Sequence, residues 1–158
     1  MAKELQISYR EKSGTGIFNG GEHINQEESP SESVLTFTSW IREIDFAYAG
    51  LDLVCLTSLN EGTPVSLIEA QASGRAVVST KVGGVENIVQ HEKTGLLSEL
   101  SLKKFSENLI RLVDNHEERT AMGQEGVNQV VTKYNYQRLV KETSQLYTDL
   151  LPSDQKRR

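Results

Sequence analysis

Two glutamates whose carboxylates could bind a ligand or take part in a reaction lie close together in the segment SLNEGTPVSLIEAQASGRAVVST, residues 58–80. Glu61 is followed directly by a Gly-Thr-Pro turn, and Glu69 lies inside an otherwise apolar helical pattern. A stable fold needs neither carboxylate. Carboxylates repel phosphate and accept hydrogen bonds from hydroxyl groups, whereas the free N–H groups of a helix start favour an anion. The segment is therefore suited to a ligand that carries both phosphate and sugar hydroxyls.

The helix that would carry Glu69 has recognisable start and stop signals. Thr63 suits the N-cap, Pro64 suits the first helical position and Gly74 suits the C-terminal stop, which predicts a helix over residues 64–73. Because helical side chains lean toward the N-terminus, Glu69 can present its carboxylate near the same mouth as the loop glutamate. Apolar residues at steps of three and four predict the buried face of this helix, made of Val65, Ile68 and Ala72.

Each glutamate also has an ordinary structural interpretation. Glu61 alone fits a solvated loop acid, and Glu69 alone fits a solvated helix residue or the partner of a nearby arginine. The same holds for the next loop, STKVGG, where Lys81 either contacts a phosphate or is an ordinary surface lysine. Glu86 follows that loop and either lines the cleft or stabilises the dipole of its own helix. The residue types alone leave these alternatives open.

The elements around the two glutamates alternate between strand and helix. Apolar runs bounded by polar residues predict strands at DLVCLTS, RAVVST and TGLLSE, with VLTFTS as a further short strand. Helical patterns lie between them, and residues 40–51 keep Trp40, Ile44 and Tyr48 on one face. This alternation predicts an α/β fold, a Rossmann-like parallel sheet of three or four strands with helices on both faces. Ligands of such sheets bind beyond the carboxyl ends of the strands.

The two ends of the chain differ from this middle part. Residues 1–34 are rich in Gly, Ser, Asn and Glu, so we expect a polar, poorly structured arm, with a short helix at AKELQIS as an alternative at its start. The final third predicts a helical extension with Ser101 and Asn115 as N-caps. Its last helix is amphipathic and is expected to pack onto the domain, which would span residues 35–152. Residues 153–158 then form a disordered tail.

Composition and charge exclude several classes of protein. A net charge of −5 argues against nucleic-acid binding, and no apolar run approaches the roughly 18 residues of a membrane span. The three histidines have no metal-ligand spacing, so no metal is expected. Cys55 is the single cysteine and the N-terminus has no signal-peptide pattern, which together predict a cytoplasmic protein. The amphipathic last helix leaves a peripheral location at the inner membrane surface as an alternative.

A longer run of residues resembles a known family. The elements SLNEGTPVSLIEAQASGRAVVSTKVGGVENIV and TGLL, in this order, resemble the C-terminal domain of the GT-B glycosyltransferases. Within that fold they are most similar to the retaining enzymes of family 4, or group 1, which use nucleotide-sugar donors. The resemblance covers roughly residues 35–150. Two positions depart from the family pattern, because Gln71 stands where Met is usual and Ala76 where Pro is usual.

The resemblance implies a role for each residue of the motif. Glu61 would be the catalytic residue and contact the transferred sugar, and Glu69 would accept hydrogen bonds from the ribose of the donor. The rest of the donor site would be the loop and helix start formed by Ser58, Asn60, Gly62, Thr63 and Pro64. The neighbouring loop would line the cleft with Lys81, Gly83, Gly84 and Glu86. Enzymes of this type use no metal or other cofactor, since positive side chains and helix termini stabilise the nucleoside-diphosphate leaving group.

The resemblance also implies that a large part of such an enzyme is missing here. The N-terminal domain that holds the acceptor has no counterpart in the sequence, and SGTGIFNGG falls short of a phosphate-binding GxGxxG motif. We therefore expect a domain fragment that is inactive by itself, and the absent acceptor domain is its expected partner. Two alternatives stay open: a non-catalytic nucleotide-sugar binding or interaction module of the same fold, and a GT-B relative such as an epimerase.

Overall fold

The structure is a computed structural model, and it describes residues 7–11, 14–19, 22–25, 35–38 and 41–151. The chain divides into two compact units, residues 1–44 and 45–158. The boundary lies ten residues beyond the predicted end of the N-terminal arm at residue 34. Trp40, the AKELQ part of the alternative N-terminal helix and the predicted tail 153–158 lie outside the described residues.

The first unit contains a four-stranded sheet. Its strands are β1 (Ile7–Glu11), β2 (Gly14–Asn19), β3 (Glu22–Asn25) and β4 (Leu35–Phe37), in the order β3-β2-β1-β4. β1 pairs antiparallel with β2 and parallel with β4, and β2 pairs antiparallel with β3. The predicted strand at VLTFTS is therefore present, but it belongs to this sheet and adds no strand to the parallel sheet of the second unit.

The expectation of a poorly structured arm does not hold for the described part of residues 1–34, because three of the four strands lie there. The predicted alternative of a helix at its start is also wrong where residues are described, since Ile7 already begins a strand. The sequence does contain a signal for this sheet. Only two residues separate β1 from β2 and β2 from β3, and the second pair is Gly-Gly, a combination typical of tight hairpin turns.

The second unit is built on a three-stranded parallel sheet. Its strands β5 (Leu53–Leu56), β6 (Ala76–Thr80) and β7 (Gly95–Ser98) lie in the order β5-β6-β7. The helices between them are α2 (Val65–Ala72) and α3 (Val85–Ile88), and α1 (Ile44–Ala49) precedes the first strand. All three strands were predicted from their apolar runs, and the parallel register confirms the strand-helix alternation.

Alternating residues of the strands pack against helices on opposite faces. On β6, Val77 joins a core cluster with residues of α1, α2 and α3, whereas Val78 joins a second cluster with residues of the C-terminal helices. Leu97 and Leu96 of β7 divide in the same way. The sheet is therefore covered on both faces, which confirms the predicted fold class. Cys55 lies on β5 at the edge of the sheet and is exposed, although its neighbours in the sequence are apolar.

Three helices follow the sheet, namely α4 (Leu102–Asp114), α5 (His116–Lys133) and α6 (Tyr136–Leu150). Ser101 caps α4 by accepting a hydrogen bond from the backbone N–H of Lys104 at 3.3 Å, as predicted. Asn115 caps α5 in the same way, through the N–H of Glu118 at 3.0 Å. α5 passes close to the sheet, because its Gly123 lies directly against the backbone carbonyl of Gly74.

The last helix does not pack as its amphipathic pattern predicts. α6 has no buried residue, and its large apolar side chains Leu139, Leu146, Tyr147 and Leu150 are exposed. An apolar stripe shows that a helix needs a partner surface, but it does not show where that surface is. The expected packing of α6 onto its own domain is therefore wrong within the described part of the chain.

Candidate functional site

The start of α2 lies directly after the loop of Glu61. Pro64 is buried and occupies the N-cap position, with φ −69° and ψ 102°, so the first helical residue is Val65. Thr63 is exposed and makes no cap, and no side chain caps this helix. The prediction of Thr63 as the N-cap is therefore wrong by one position. Because the proline side chain has no acceptor atom, it cannot cap the helix as an N-cap side chain normally does. The N–H of Leu67 donates instead to the carbonyl of Pro64 at 3.2 Å, and the N–H groups of Val65 and Ser66 at the helix start have no side-chain cap.

The end of α2 follows the prediction, and its buried face does not. Gly74 adopts φ 71°, its N–H bonds to the carbonyl of Gln71, and the N–H of Arg75 bonds to the carbonyl of Ala70. These two bonds form a Schellman motif, for which the left-handed conformation favours glycine. The buried residues are Leu67, Ala70 and Gln71, whereas Val65 and Ala72 are exposed and Ile68 is half-buried. The core face is thus rotated from the predicted one.

Gln71, which departs from the family pattern, is fully buried. Its Nε2 lies 3.2 Å from the carbonyl of Leu67 and 3.3 Å from the carbonyl of Ile88 at the end of α3. The same Ile88 carbonyl accepts a hydrogen bond from Gln129 of α5. One backbone oxygen therefore links the helix that carries Glu69 to both of its neighbours.

Glu61 is oriented by its own loop. The hydroxyl of Ser58 donates to Oε1 of Glu61 at 2.6 Å, and the Ser58 carbonyl accepts from the hydroxyl of Thr80 at 2.6 Å. Thr80 is the last residue of β6, so the loop after β5 is attached to the carboxyl end of the neighbouring strand. The Glu61 carboxylate is half-buried and keeps its second oxygen for another partner.

The neighbouring loop packs against the backbone around Glu61. The N–H of Gly84 donates to the carbonyl of Glu61 at 3.0 Å. A Cβ atom at Gly83 would lie 1.8 Å from that carbonyl oxygen, and one at Gly84 would lie 1.8 Å from the carbonyl oxygen of Gly62. Gly83 also has a φ of 49°. These two predicted cleft glycines are therefore required for the contact between the two loops.

Glu69 faces a residue that sequence analysis did not connect with the site. Tyr48 of α1 donates a hydrogen bond to Oε2 of Glu69 at 3.3 Å and lies 3.1 Å from the carbonyl of Ser66. Burial, together with the charge and the hydrogen bond of Glu69, raises the pKa of Tyr48, so the phenol stays a donor at neutral pH. The apolar periodicity of residues 40–51 indicated Tyr48 only as a core residue.

Lys81, which the resemblance places in the cleft, forms ion pairs with two carboxylates. Lys81 lies 3.1 Å from Oε1 of Glu86 and 3.8 Å from Oε1 of Glu99. The hydrogen bond to Glu86 and the charges of Glu86 and Glu99 raise the pKa of Lys81. Glu86 lies in the first turn of α3, as predicted. Since all three side chains are at least 41% exposed, these ion pairs contribute little to stability.

The remaining predicted residues lie on the open side of the same loop, where Asn60, Gly62 and Thr63 are exposed. A Cβ atom at Gly62 would have no other atom within 4 Å, so the space beside this backbone is open and a ligand can approach it closely. No three or more His, Cys, Asp or Glu side chains of the described residues are grouped to hold a metal ion. The site therefore offers carboxylates, a helix start and an accessible backbone.

Comparisons with known proteins identify the family of this chain. The family model described as "Glycosyl transferases group 1" matches residues 14–115, which is more than half of the 158-residue chain. The chain belongs to the group 1 glycosyltransferases. The match begins at Gly14, the first residue of β2, so residues 14–34 of the expected arm belong to the part of the chain that matches the family.

Curated relatives of this group 1 member are longer enzymes. The D-inositol 3-phosphate glycosyltransferase of Corynebacterium glutamicum is 32% identical over 113 residues, which are 71% of this chain and 27% of the relative. The N-acetyl-alpha-D-glucosaminyl L-malate synthase of Bacillus anthracis is 30% identical over 104 residues, or 65% and 27%. The chain therefore spans about a quarter of the length of these relatives.

Solved structures support the same part of the fold. The C-terminal domain of the group 1 glycosyltransferase LpcC from Francisella tularensis is 31% identical with a TM-score of 0.60, covering 66% of this chain and 56% of that one. Sucrose-phosphate synthase from Thermosynechococcus elongatus is 26% identical with a TM-score of 0.63, covering 66% and 26%. Anabaena HepE in complex with UDP, at 21% identity and a TM-score of 0.62 over 66% and 29%, supports the fold alone. These matches confirm the predicted resemblance to a GT-B C-terminal domain.

Where the chain is described, none of its helices combines the length and the apolarity that crossing a membrane requires.

Proposed function

We propose that this group 1 glycosyltransferase chain binds the nucleoside-diphosphate sugar donor at the loop of Glu61 and the start of α2. In the complete enzyme the bound sugar would pass to an acceptor with retention of configuration. The observation that carries the proposal is the fixed loop, in which Ser58 orients Glu61 and the Gly84 N–H holds its backbone. A carboxylate oriented before binding loses less entropy when it accepts hydroxyl groups of a sugar.

Each residue then has a defined part in the proposed site. The second oxygen of Glu61 accepts hydroxyl groups of the transferred sugar, and Glu69 accepts the ribose hydroxyls beside Tyr48. The uncapped start of α2 and the exposed backbone of Gly62 and Thr63 face the diphosphate. Lys81 exchanges a carboxylate partner for a phosphate oxygen and stabilises the leaving group. No metal is needed for this arrangement.

Uracil is the first base to test. The curated galactosyltransferase of Escherichia coli, 28% identical over 118 residues, is named for UDP-Gal, and HepE was solved with UDP-glucose. We expect amide chemical shifts of residues 58–69 and 81–86 to change when the chain is titrated with UDP or a UDP-sugar, and less with GDP or ADP. Glu69→Gln should weaken the binding about tenfold, because a charge-assisted hydrogen bond becomes a neutral one.

A matched control is available on α5. Glu117 is exposed in the first turn of that helix and outside the proposed site, so Glu117→Gln should leave the UDP titration unchanged. If no amide shifts at millimolar nucleotide in a well-dispersed spectrum, or if both substitutions act alike, the donor site is wrong.

The small share of its relatives that this chain covers favours a second candidate function, which is donor binding without catalysis. Because it covers about 27% of the first curated relative, we propose that it binds the donor without turning it over and that the acceptor-holding domain is its partner. A turnover assay with UDP-sugars and a panel of acceptors tests this, and product above the blank would contradict it. We also propose a cytoplasmic location, which the single cysteine supports, with a peripheral location at the inner membrane surface as the alternative that the exposed apolar residues of α6 support.

A further inference from the structure

Lys81 lies in the chain between two contacts with the loop that carries Glu61. On one side, the hydroxyl of Thr80 donates to the carbonyl of Ser58 at 2.6 Å. On the other side, the N–H of Gly84 donates to the carbonyl of Glu61 at 3.0 Å. Because consecutive Cα atoms are only about 3.8 Å apart, these contacts hold the backbone of Lys81 close to that loop. Lys81 is therefore a cation attached to the edge of the proposed donor site.

Glu99, to which sequence analysis gave no role, reaches the same lysine from the neighbouring strand. The backbone N–H of Lys81 donates to the carbonyl of Ser98, the last residue of β7, at 2.7 Å. Glu99 follows directly, and its own carbonyl accepts from the N–H of Ser101, the N-cap of α4, at 2.6 Å. The backbone of Glu99 is thus fixed beside Lys81 on both sides, although its side chain is 79% exposed.

The ammonium group of Lys81 is shared between two carboxylates. It lies 3.1 Å from Oε1 of Glu86 and 3.8 Å from Oε1 of Glu99, so one positive charge faces two negative ones. An ammonium group has three N–H donors. A phosphate that bonds to the remaining donor would lie next to both carboxylates, and like charges repel. A phosphate therefore gains by displacing Glu99, which is the more distant of the two carboxylates.

The donor and the product that it leaves behind differ in charge. In a nucleoside-diphosphate sugar both phosphate groups are diesters, and each carries one negative charge. After the sugar has been transferred, the terminal phosphate is a monoester whose second ionisation has a pKa of about 6, so it carries close to two negative charges at neutral pH. The additional charge lies on the phosphate that was bonded to the sugar. A carboxylate that competes for the phosphate-binding lysine therefore opposes the product more strongly than the donor.

We propose that Glu99 is a positioning residue that acts through Lys81 and makes the donor site discriminate against the nucleoside-diphosphate product. The proposal rests on the proposed function, in which Lys81 contacts the diphosphate. In the free chain Glu99 and Glu86 share the ammonium group. Once the sugar has left, Glu99 competes with the terminal phosphate for Lys81, which weakens the binding of the product and favours its release.

Isothermal titration calorimetry of the whole chain with UDP, and separately with UDP-glucose, tests the proposal. Glu99→Gln removes the charge and keeps the size of the side chain. We expect it to bind UDP about three- to fivefold more tightly and UDP-glucose less than about twofold more tightly, with a smaller difference in high salt. Glu107→Gln is the matched control, because Glu107 forms an equally exposed pair with Lys104 at 3.3 Å on α4, outside the proposed site. It should bind both ligands as the unaltered chain does.

Lys81→Met shows whether the effect passes through the lysine. In the Lys81→Met background, adding Glu99→Gln should change the affinity for UDP by less than about twofold, because the carboxylate has no ammonium group left to compete for. A merely structural role of Glu99 would not change the ratio of the two affinities. An equal gain in both backgrounds would show direct repulsion of the ligand and overturn the positioning role.

The remaining outcomes separate this proposal from the proposed function. If UDP binding depends on Glu69 but Glu99→Gln leaves it unchanged, or strengthens UDP and UDP-glucose equally, the donor site stands and the role of Glu99 is wrong. The same conclusion follows if Glu99→Gln and Glu107→Gln behave alike. If neither nucleotide binds the unaltered chain at millimolar concentration, the donor site is wrong and the role of Glu99 is removed with it.

Discussion

The phenol of Tyr48 donates a hydrogen bond to Oε2 of Glu69 across 21 positions of sequence, at 3.3 Å. It joins α1, which precedes the sheet of the second unit, to the helix that carries the second motif glutamate. A carboxylate that is held by a phenol has a restricted set of rotamers. The proposed ribose contact therefore depends on a residue outside the motif.

Tyr48→Phe should weaken UDP binding about three- to tenfold, because Glu69 loses a hydrogen bond that orients its carboxylate. Isothermal titration calorimetry on the two proteins measures the change. The control is Tyr147→Phe, which removes an exposed hydroxyl on α6. Unchanged affinity in Tyr48→Phe, with binding still dependent on Glu69, would show that the phenol has no positioning role.

Substitution by alanine should affect stability at Gly84 and donor binding at Gly62. Gly84→Ala should lower the unfolding free energy by about 1–3 kcal/mol, because its Cβ would overlap the carbonyl oxygen of Gly62 and one backbone must move. Gly62→Ala should leave the melting temperature unchanged, since its Cβ meets nothing within 4 Å, and should weaken donor binding instead. Thermal denaturation and UDP titration of both variants test this. Equal melting temperatures for the two variants would contradict the loop contact.

Glu92 should make stability depend on acidic pH. Arg111 donates to both of its carboxylate oxygens, at 2.8 and 2.7 Å, and the hydrogen bond from Arg111 lowers the pKa of Glu92. A lowered carboxyl pKa means that the unfolded state binds more protons. The stabilisation that Glu92 provides is therefore fully present at pH values above its unfolded-state pKa of 4.5. It is lost as the pH falls through the lower pKa that Glu92 has in the folded state.

We expect the difference in unfolding free energy between the unaltered chain and Glu92→Gln to be largest above about pH 5 and to shrink toward pH 3. Urea denaturation at a series of pH values measures it. High salt should reduce the difference at neutral pH, because the pair is exposed and screened. A difference that grows on acidification would reverse the assigned sign.

Two leucines of the C-terminal helices should differ sharply in their effect on folding. Leu112 of α4 is fully buried, so Leu112→Ala should cost about 3 kcal/mol of unfolding free energy. Leu146 of α6 is 57% exposed, so Leu146→Lys should change the unfolding free energy by less than about 0.5 kcal/mol. Chemical denaturation of the two variants measures both changes in unfolding free energy. A large loss in Leu146→Lys would show that α6 packs in solution.

The strands and most helices of the second unit could be predicted because their local signals agree with their burial. β6 is buried along its whole length and has an uninterrupted apolar start, and the polar residues Ser101 and Asn115 precede helices that they cap. Local sequence and tertiary packing favour the same structure at these positions, so pattern analysis was sufficient.

Two errors, the buried face of α2 and the missing partner of Glu69, occurred because the packing partners are distant in sequence. Gln71 is fully buried although it is polar, since its amide reaches the Ile88 carbonyl, and this moved the predicted face of α2. The proposed cap shifted from Thr63 to Pro64 because the extended backbone of Pro64 already precedes the first helical turn. In the first unit, the content of Gly, Ser, Asn and Glu predicted a poorly structured arm, and the short turns that indicate hairpins, such as Gly-Gly between β2 and β3, were given too little weight. Tyr48 could not be assigned to Glu69 because no spacing rule connects them.

The Ile88 carbonyl, shared by the side chains of Gln71 and Gln129, has a consequence for hydrogen exchange. Opening any one of α2, α3 or α5 breaks a bond to that oxygen, so the amides of these helices should exchange as one cooperative unit. α6 has no buried side chain to open, and its amides should exchange by local fraying at far lower protection. Among the described helices of the second unit, the most slowly exchanging amide protons would thus surround Glu69, and the fastest would begin just beyond Tyr136.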